Sequence, residues 1–274
     1  MRRVRAHGPG EIDRPPRGRV PPAEGCLPTT SPEELWRAGE YAVEQGLGIV
    51  ADGGVVEEEA LGQWIPQALK AVRPLAEANH VAVAVENHQD IASDELRWLC
   101  EEVGGDCIGV TLDTGSTLAV AESPLAFARR VKPFVRNVHL KDYTAHLSPT
   151  GYRLSTCAIG DGVIDFPALF DLFADRPDLP MSIELGARQA RPVELLEEDW
   201  WTDYPPRDLP ALLDALRVVF PAARPADGNY RIPHERGESP EALRTYELDE
   251  FEHSVAYLKH ITAHPAEGIG NPDR

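Results

Sequence analysis

VAVAVENH (Val81–His88), IGVTLDTG (Ile108–Gly115), VRNVHLKD (Val135–Asp142) and MSIELGA (Met181–Ala187) are four short apolar runs, each ending in a side chain able to ligate a metal. The terminal polar residues are Glu86, Asp113, His139 and Glu184, spaced by about 26 to 45 residues. Each interval leaves room for one helix between successive runs. A strand, a helix and a second strand at that spacing imply parallel pairing. Parallel strands end on one edge of the sheet, so four separate runs deliver three carboxylates and an imidazole to one place.

The same alternation continues on both sides of these runs. Helix patterns cover SDELRWLCEEVG (Ser93–Gly104, with Ser93 as cap), SPLAFARRVKPF (Ser123–Phe134), FPALFDLFADR (Phe166–Arg176) and PALLDALRVVF (Pro210–Phe220). Upstream, Ser31–Gly46 carries a helix-start signature, Gly46–Gly54 a short strand, and Glu57–His80 a long helix that Pro66 and Pro74 kink or divide. The segment 143–164 reads as a long loop. A last helix spans Ser239–Ile261. Short strands, apolar on both faces and each followed by a helix, mark an all-parallel sheet covered by helices.

The bulk properties bound the function. The chain has 274 residues and a formal charge of −18. That charge disfavours nucleic acid and anionic membrane surfaces, both of which need clustered Lys and Arg. No apolar run approaches the ~20 residues of a membrane span. The basic N-terminus lacks the apolar stretch of a secretory signal. Cys26, Cys100, Cys107 and Cys157 lie far apart without a CxxC pair, which fits a reducing cytoplasm. Residues 1–32 hold seven prolines and no hydrophobic period, and are expected to form a disordered tail. Residues 33–222 are expected to form the metal-binding domain, and 223–274 a C-terminal helical extension.

ENH, LDTG, HLKD and IELG, in this order and each at a strand end, resemble the sugar isomerase/epimerase superfamily with its xylose-isomerase-like TIM barrel. The resemblance runs from about Gly46 to Phe220. It implies one divalent cation held by Glu86, Asp113, His139 and Glu184, with Glu86 and Glu184 also serving as general acid and base. Elementary chemistry agrees: three oxygens and one imidazole suit Mn2+, Mg2+ or Co2+, and admit Zn2+. Mn2+ is the first choice. Three carboxylates gathered without a cation would repel and protonate. Only five strand–helix units are visible, whereas a barrel needs eight. The barrel is therefore expected to be incomplete, its N-terminal strands missing or divergent. The exposed sheet edge would then be covered by the tail, the last helix, a second copy or a partner subunit.

The resemblance also has a departure. Many epimerases of the superfamily carry a substrate-binding His three residues after the Asp ligand, where this chain has Ser116. His88 either reaches substrate or orders its loop. Lys141 either stabilises an oxyanion or pairs with an acid, and Asp142 is a candidate to support a ligand. His146 is a second candidate base. Arg188 and Arg191 are candidates for carboxylate or hydroxyl contacts. Trp200, Trp201 and Tyr204 either stack on a sugar or plug the barrel mouth. Gly160–Gly162 reads as a turn. The leading expectation is a metal-dependent sugar isomerase or epimerase that moves a proton next to a carbonyl through an enediolate. The alternatives are a lyase cleaving 3-oxo-glycosides by β-elimination, with His146 as base, and a degenerate barrel subunit without activity.

Overall fold

The computed structural model describes residues 65–186, 190–204 and 207–263. The expected tail, the helix at 31–46, the strand at 46–54, the first residues of the long helix, and Arg188 lie outside these residues. The described part opens with helix α1 (Ile65–Ala78), which runs through Pro74. Pro74 sits on its exposed side, where the carbonyl it leaves unpaired can reach water.

Strands β1 (Val83–Glu86), β2 (Ile108–Asp113), β3 (Val135–Leu140) and β6 (Met181–Ile183) form a parallel sheet in the order β1-β2-β3-β6. Between them lie α2 (Ser93–Val103), the short α3 (Ser116–Ala119), α4 (Pro124–Val131) and α5 (Phe166–Leu172). β2 is buried at every position because it is flanked by β1 and β3 and covered on both faces. Leu96 and Leu99 of α2 and Phe127 and Val131 of α4 are fully buried, in one cluster with Val110, Leu112 and Val138. This is the helix-on-sheet core that the apolar periods imply.

The β2–β3 ladder slips by one residue: Val110 pairs with Val135, and Thr111 with Asn137. Arg136 is the extra residue. A slip of one exchanges the faces of a strand. Val135 and Val138, three apart, are thus both buried, while Asn137 and His139 turn to the other face.

Two readings of the sequence need correction. Ser93 is not the cap of α2. The N-cap is Ala92, whose backbone N–H donates to Glu95 Oε2, and the Ser93 hydroxyl donates to buried Glu122. The segment 143–164 is not a loop for most of its length. β4 (Asp142–Ser148) and β5 (Gly151–Cys157) form an antiparallel hairpin, and β7 (Ala190–Val193) pairs with β5 to give a second sheet. Tyr143, Ala145, Tyr152 and Leu154 face the core, and the residues between them face away. The GDG turn closes the hairpin's base around the Asp142 carboxylate. Oδ1 accepts the N–H groups of Tyr143 and Ile164, and Oδ2 those of Gly160 and Gly162.

Trp200 and Trp201 lie in a 3-10 segment (Glu198–Asp203), followed by α6 (Leu209–Val219). Asp208 caps α6 through Ala211 N–H. Helix α7 (Pro240–Ala263) packs on the hairpin's base. There Ser254 Oγ accepts the Ile159 N–H and donates to Glu250 O. Gly160 has φ +97°, and a Cβ there would meet the Tyr257 ring at 2.5 Å, so both backbone and space call for glycine.

Candidate metal centre

Glu86 ends β1, Asp113 ends β2, His139 is the penultimate residue of β3, and Glu184 follows β6. The ladders set Asp113 opposite His139, and His139 opposite Ser182. All four therefore stand at the carboxyl edge of the sheet. Glu86, His139 and Glu184 each offer a ligand atom within 4.8 Å of the others. His139 Nδ1 lies 3.1 Å from Glu86 Oε1 and 2.7 Å from Glu184 Oε2. The two carboxylates beside it raise the imidazole to about 10, Glu184 at the shorter distance first and Glu86 next.

One proton on Nδ1 cannot serve both carboxylates. Its hydrogen bond goes to Glu86, and Glu184 Oε2 stays buried with no donor in hydrogen-bond geometry among the described residues. A divalent cation at that point would replace the single proton and satisfy all three atoms. The donor set, two carboxylates and one imidazole, therefore fits such an ion.

Asp113 stands apart from this group. Its Oδ1 accepts the N–H groups of Gly115 and Ser116, both at 3.0 Å. Its Oδ2 accepts the Ser116 hydroxyl and the Lys141 ammonium, both at 2.8 Å. Lys141 also reaches Glu184 Oε1 at 2.6 Å. Burial pushes the Asp113 carboxyl above the usual carboxylate range, against the pull of Lys141. Burial works against the Lys141 charge, but Asp113 leads the neighbours that overcome it and hold the ammonium above its ordinary value. Burial would raise Glu184 too, yet His139 and Lys141 outweigh it and hold that carboxyl at about 2.

The remaining site residues divide. Ser116 is committed to Asp113. Lys141 pairs with acids. His88 is half-buried on the loop after β1. His146 lies on the outward face of β4, buried, with Nε2 3.0 Å from Thr144 Oγ1 and its ring stacked on Tyr230. It lines a cavity whose described walls include none of Glu86, His139 or Glu184. Arg191 donates to Gln89 Oε1 and Tyr204 Oη, both neutral oxygens.

Several residues that shape the site escape a reading of the motifs. Asn87 exchanges two hydrogen bonds of 2.8 Å with the Asp113 backbone. Thr114 Oγ1 donates to Lys141 O and accepts its N–H. These side chains extend the ladders past the strand ends and fix the backbones that carry the charged groups. Gln89, with φ +64°, donates to Tyr143 Oη and so ties the first loop to the hairpin. The small amide in ENH and the hydroxyl in LDTG were the available signals.

The sequence profile of the xylose isomerase-like TIM barrel matches residues 31–204. The chain belongs to this family. It is similar to the 3-oxo-isoapionate decarboxylase of Pectobacterium atrosepticum, 24% identical over 103 residues, covering 37% of this chain and 38% of that one. It is also similar to the uncharacterized protein YihM of Escherichia coli, 26% identical over 98 residues, covering 36% of this chain and 30% of that one. The aligned segment thus spans about a third of the length of these relatives. Among solved structures it resembles a xylose isomerase-like TIM barrel protein from Mycobacterium smegmatis in complex with magnesium. That match has TM-score 0.44 and 18% identity, over 63% of this chain and 58% of the other. Among the described residues the parallel sheet has four strands, and no helix is long and apolar enough to cross a membrane.

Proposed function

We propose that this protein is a divalent-metal-dependent sugar isomerase or epimerase that moves a proton on the carbon next to a carbonyl. The observation that carries this reading is the convergence of Glu86, His139 and Glu184, with a buried Glu184 oxygen lacking a donor. These three residues would hold the cation, Mn2+, Mg2+, Co2+ or Zn2+. When bound, it supplies Lewis acidity that polarises a substrate carbonyl and acidifies the adjacent C–H.

The chain's own groups divide the remaining work. Glu184 is pinned through Oε1 by Lys141, so its carboxylate is positioned and kept ionised. Among the described residues no ammonium pairs with Glu86, and its carboxylate would be the base that takes the proton and returns it. Asp113 is saturated with donors. It serves as the counter-charge that keeps the Lys141 ammonium in place, and becomes a fourth ligand only if that ammonium moves away. Gln89, on the loop after β1, links Tyr143 of β4 and Arg191 of β7 by hydrogen bonds, and the half-buried Gln89 and Arg191 are suited to contact hydroxyl groups.

Titration of the purified protein with MnCl2 tests the first half, with one ion per chain expected and little binding in Glu86→Gln or His139→Ala. Stoichiometry near zero in the parent would support a degenerate subunit. Tritium exchange from solvent into a ketose without fragmentation tests the second half. A lyase is the second reading. It is favoured by Ser116, whose hydroxyl is spent on Asp113 where many epimerases place an imidazole, and by the likeness to a decarboxylase. Release of an aglycone from a 3-oxo-glycoside would decide for it.

A further inference from the structure

The outward face of the β4–β5 hairpin does not lie open. Thr144, His146, Ser155 and Cys157 look into a cavity of about 930 Å3, walled also by residues of 221–236 and by Tyr246, Asp249, Glu250 and His253 of α7. Its volume lies at the upper end of the range for small-molecule sites, about 300–1,000 Å3.

Two buried polar atoms on these walls have no hydrogen-bond partner among the described residues, His146 Nδ1 and Glu250 Oε2. His146 is 3% exposed and Glu250 8%. Thr144 Oγ1 donates to Ser155 O, so it accepts from His146 Nε2, and the hydrogen-bond network therefore assigns Nδ1 as the bare lone pair. Burial holds His146 down at about 4, aided by Arg224 and Arg153, so the ring is neutral at physiological pH. Each unpaired polar atom carries an uncompensated desolvation cost, which a bound hydroxyl would remove.

An exposed cation, Arg224, stands at the rim of the cavity. Arg224 is fixed by its backbone, which donates to Ala145 O and accepts from Leu147 N–H beside His146. No carboxylate pairs with its guanidinium among the described residues, whereas Arg236 pairs with Glu238 and Arg153 with Glu235. Arg231, also on the wall, donates to Asn229. The acids of the cavity, Asp161, Asp249 and Glu250, come from the GDG turn and α7, with His253 paired to Asp161. Asp161 and Glu250 lie near the Cys157 end of β5, four residues from the partner of His146, or about 13 Å along the strand.

We propose that this cavity is a second binding site, separate from the metal centre, for a small polyhydroxylated anion. Its carboxylate or phosphate pairs with Arg224, and its hydroxyls meet His146 and Glu250. A sugar acid and a sugar phosphate share this chemistry.

Isothermal titration at fixed ionic strength, with D-gluconate, D-glucose 6-phosphate and neutral sorbitol as probes, tests the site. One or both anions should bind one per chain, with sorbitol at least tenfold weaker. Binding of gluconate alone identifies a carboxylate ligand, and of the sugar phosphate alone a phosphate ligand. Arg224→Met should weaken binding tenfold or more. Arg224→Gln serves if circular dichroism shows the Met variant unfolded. Glu86→Gln, which disables the metal centre, should leave it unchanged. The proposal is overturned if neither anion binds, if sorbitol binds as well, if the Arg224 variants bind normally, or if Glu86→Gln abolishes binding.

Discussion

Lys141 and Asp113 form a buried ion pair at the carboxyl edge of the parallel sheet, Nζ to Oδ2 2.8 Å, with side chains 1% and 0% exposed. Burial withdraws both charges from solvent, so the stability of the pair rests on the completeness of its hydrogen bonds. Asp113 takes four donors, and Lys141 bridges onward to Glu184. Removing one member of a buried pair costs more than the pair itself contributes, because the other charge is stranded.

Lys141→Met is therefore expected to lose about 3–5 kcal/mol of stability in urea denaturation. The double variant with Asp113→Asn should recover part of that loss. A single-variant loss under ~1 kcal/mol would show that the pair is solvated in solution.

Metal addition should stabilise the fold through the same residues. At a hundredfold excess over Kd, MnCl2 should contribute about 2.7 kcal/mol and raise Tm, and chelation should reverse the rise. Glu86→Gln and His139→Ala should each remove most of this gain. A shift that persists in both variants would place the ion elsewhere.

Glu250 makes stability depend on pH. Burial raises its carboxyl from an ordinary value near 4.5 to about 7. The folded state thus keeps a proton that the unfolded chain releases. This contribution is complete below pH 4.5 and fades as pH rises through 7. Glu250→Gln should flatten the profile across that window and exceed the parent by about 1–2 kcal/mol at pH 8. A parent whose Tm rises between pH 5 and pH 8 solely through Glu250 would contradict the sign.

Gly162 lies against the Asp142 carboxylate, where an added Cβ would come within 2.1 Å of Oδ1. Gly162→Ala should displace the GDG turn from its anchor and cost about 2–4 kcal/mol. Thermal unfolding measures it; an unchanged Tm would mean that the turn is free to move.

The parallel sheet was legible because β1, β2, β3 and β6 are apolar runs with little else they can be, and each carries its polar group at the same end. The hairpin was harder to read. DYTAHLS and GYRLSTC do alternate, with Tyr143, Ala145, Tyr152 and Leu154 inward, but the outward Thr144, His146 and Ser155 look like loop residues until a second wall covers them. Asp113 shows the same limit within the candidate site. Its motif matches a ligand position, while its partners, Lys141 and Ser116, are set by register and backbone direction rather than by spacing.

By itself the amino-acid order determined which side chains arrive together: period and spacing place strand ends on one edge, and that alone collects Glu86, Asp113, His139 and Glu184. Which of them share a point, and which is taken by an ammonium, was decided only in three dimensions. Ladder register and side-chain reach separate a carboxylate open to a cation from one already saturated, and no one-dimensional pattern carries those distances.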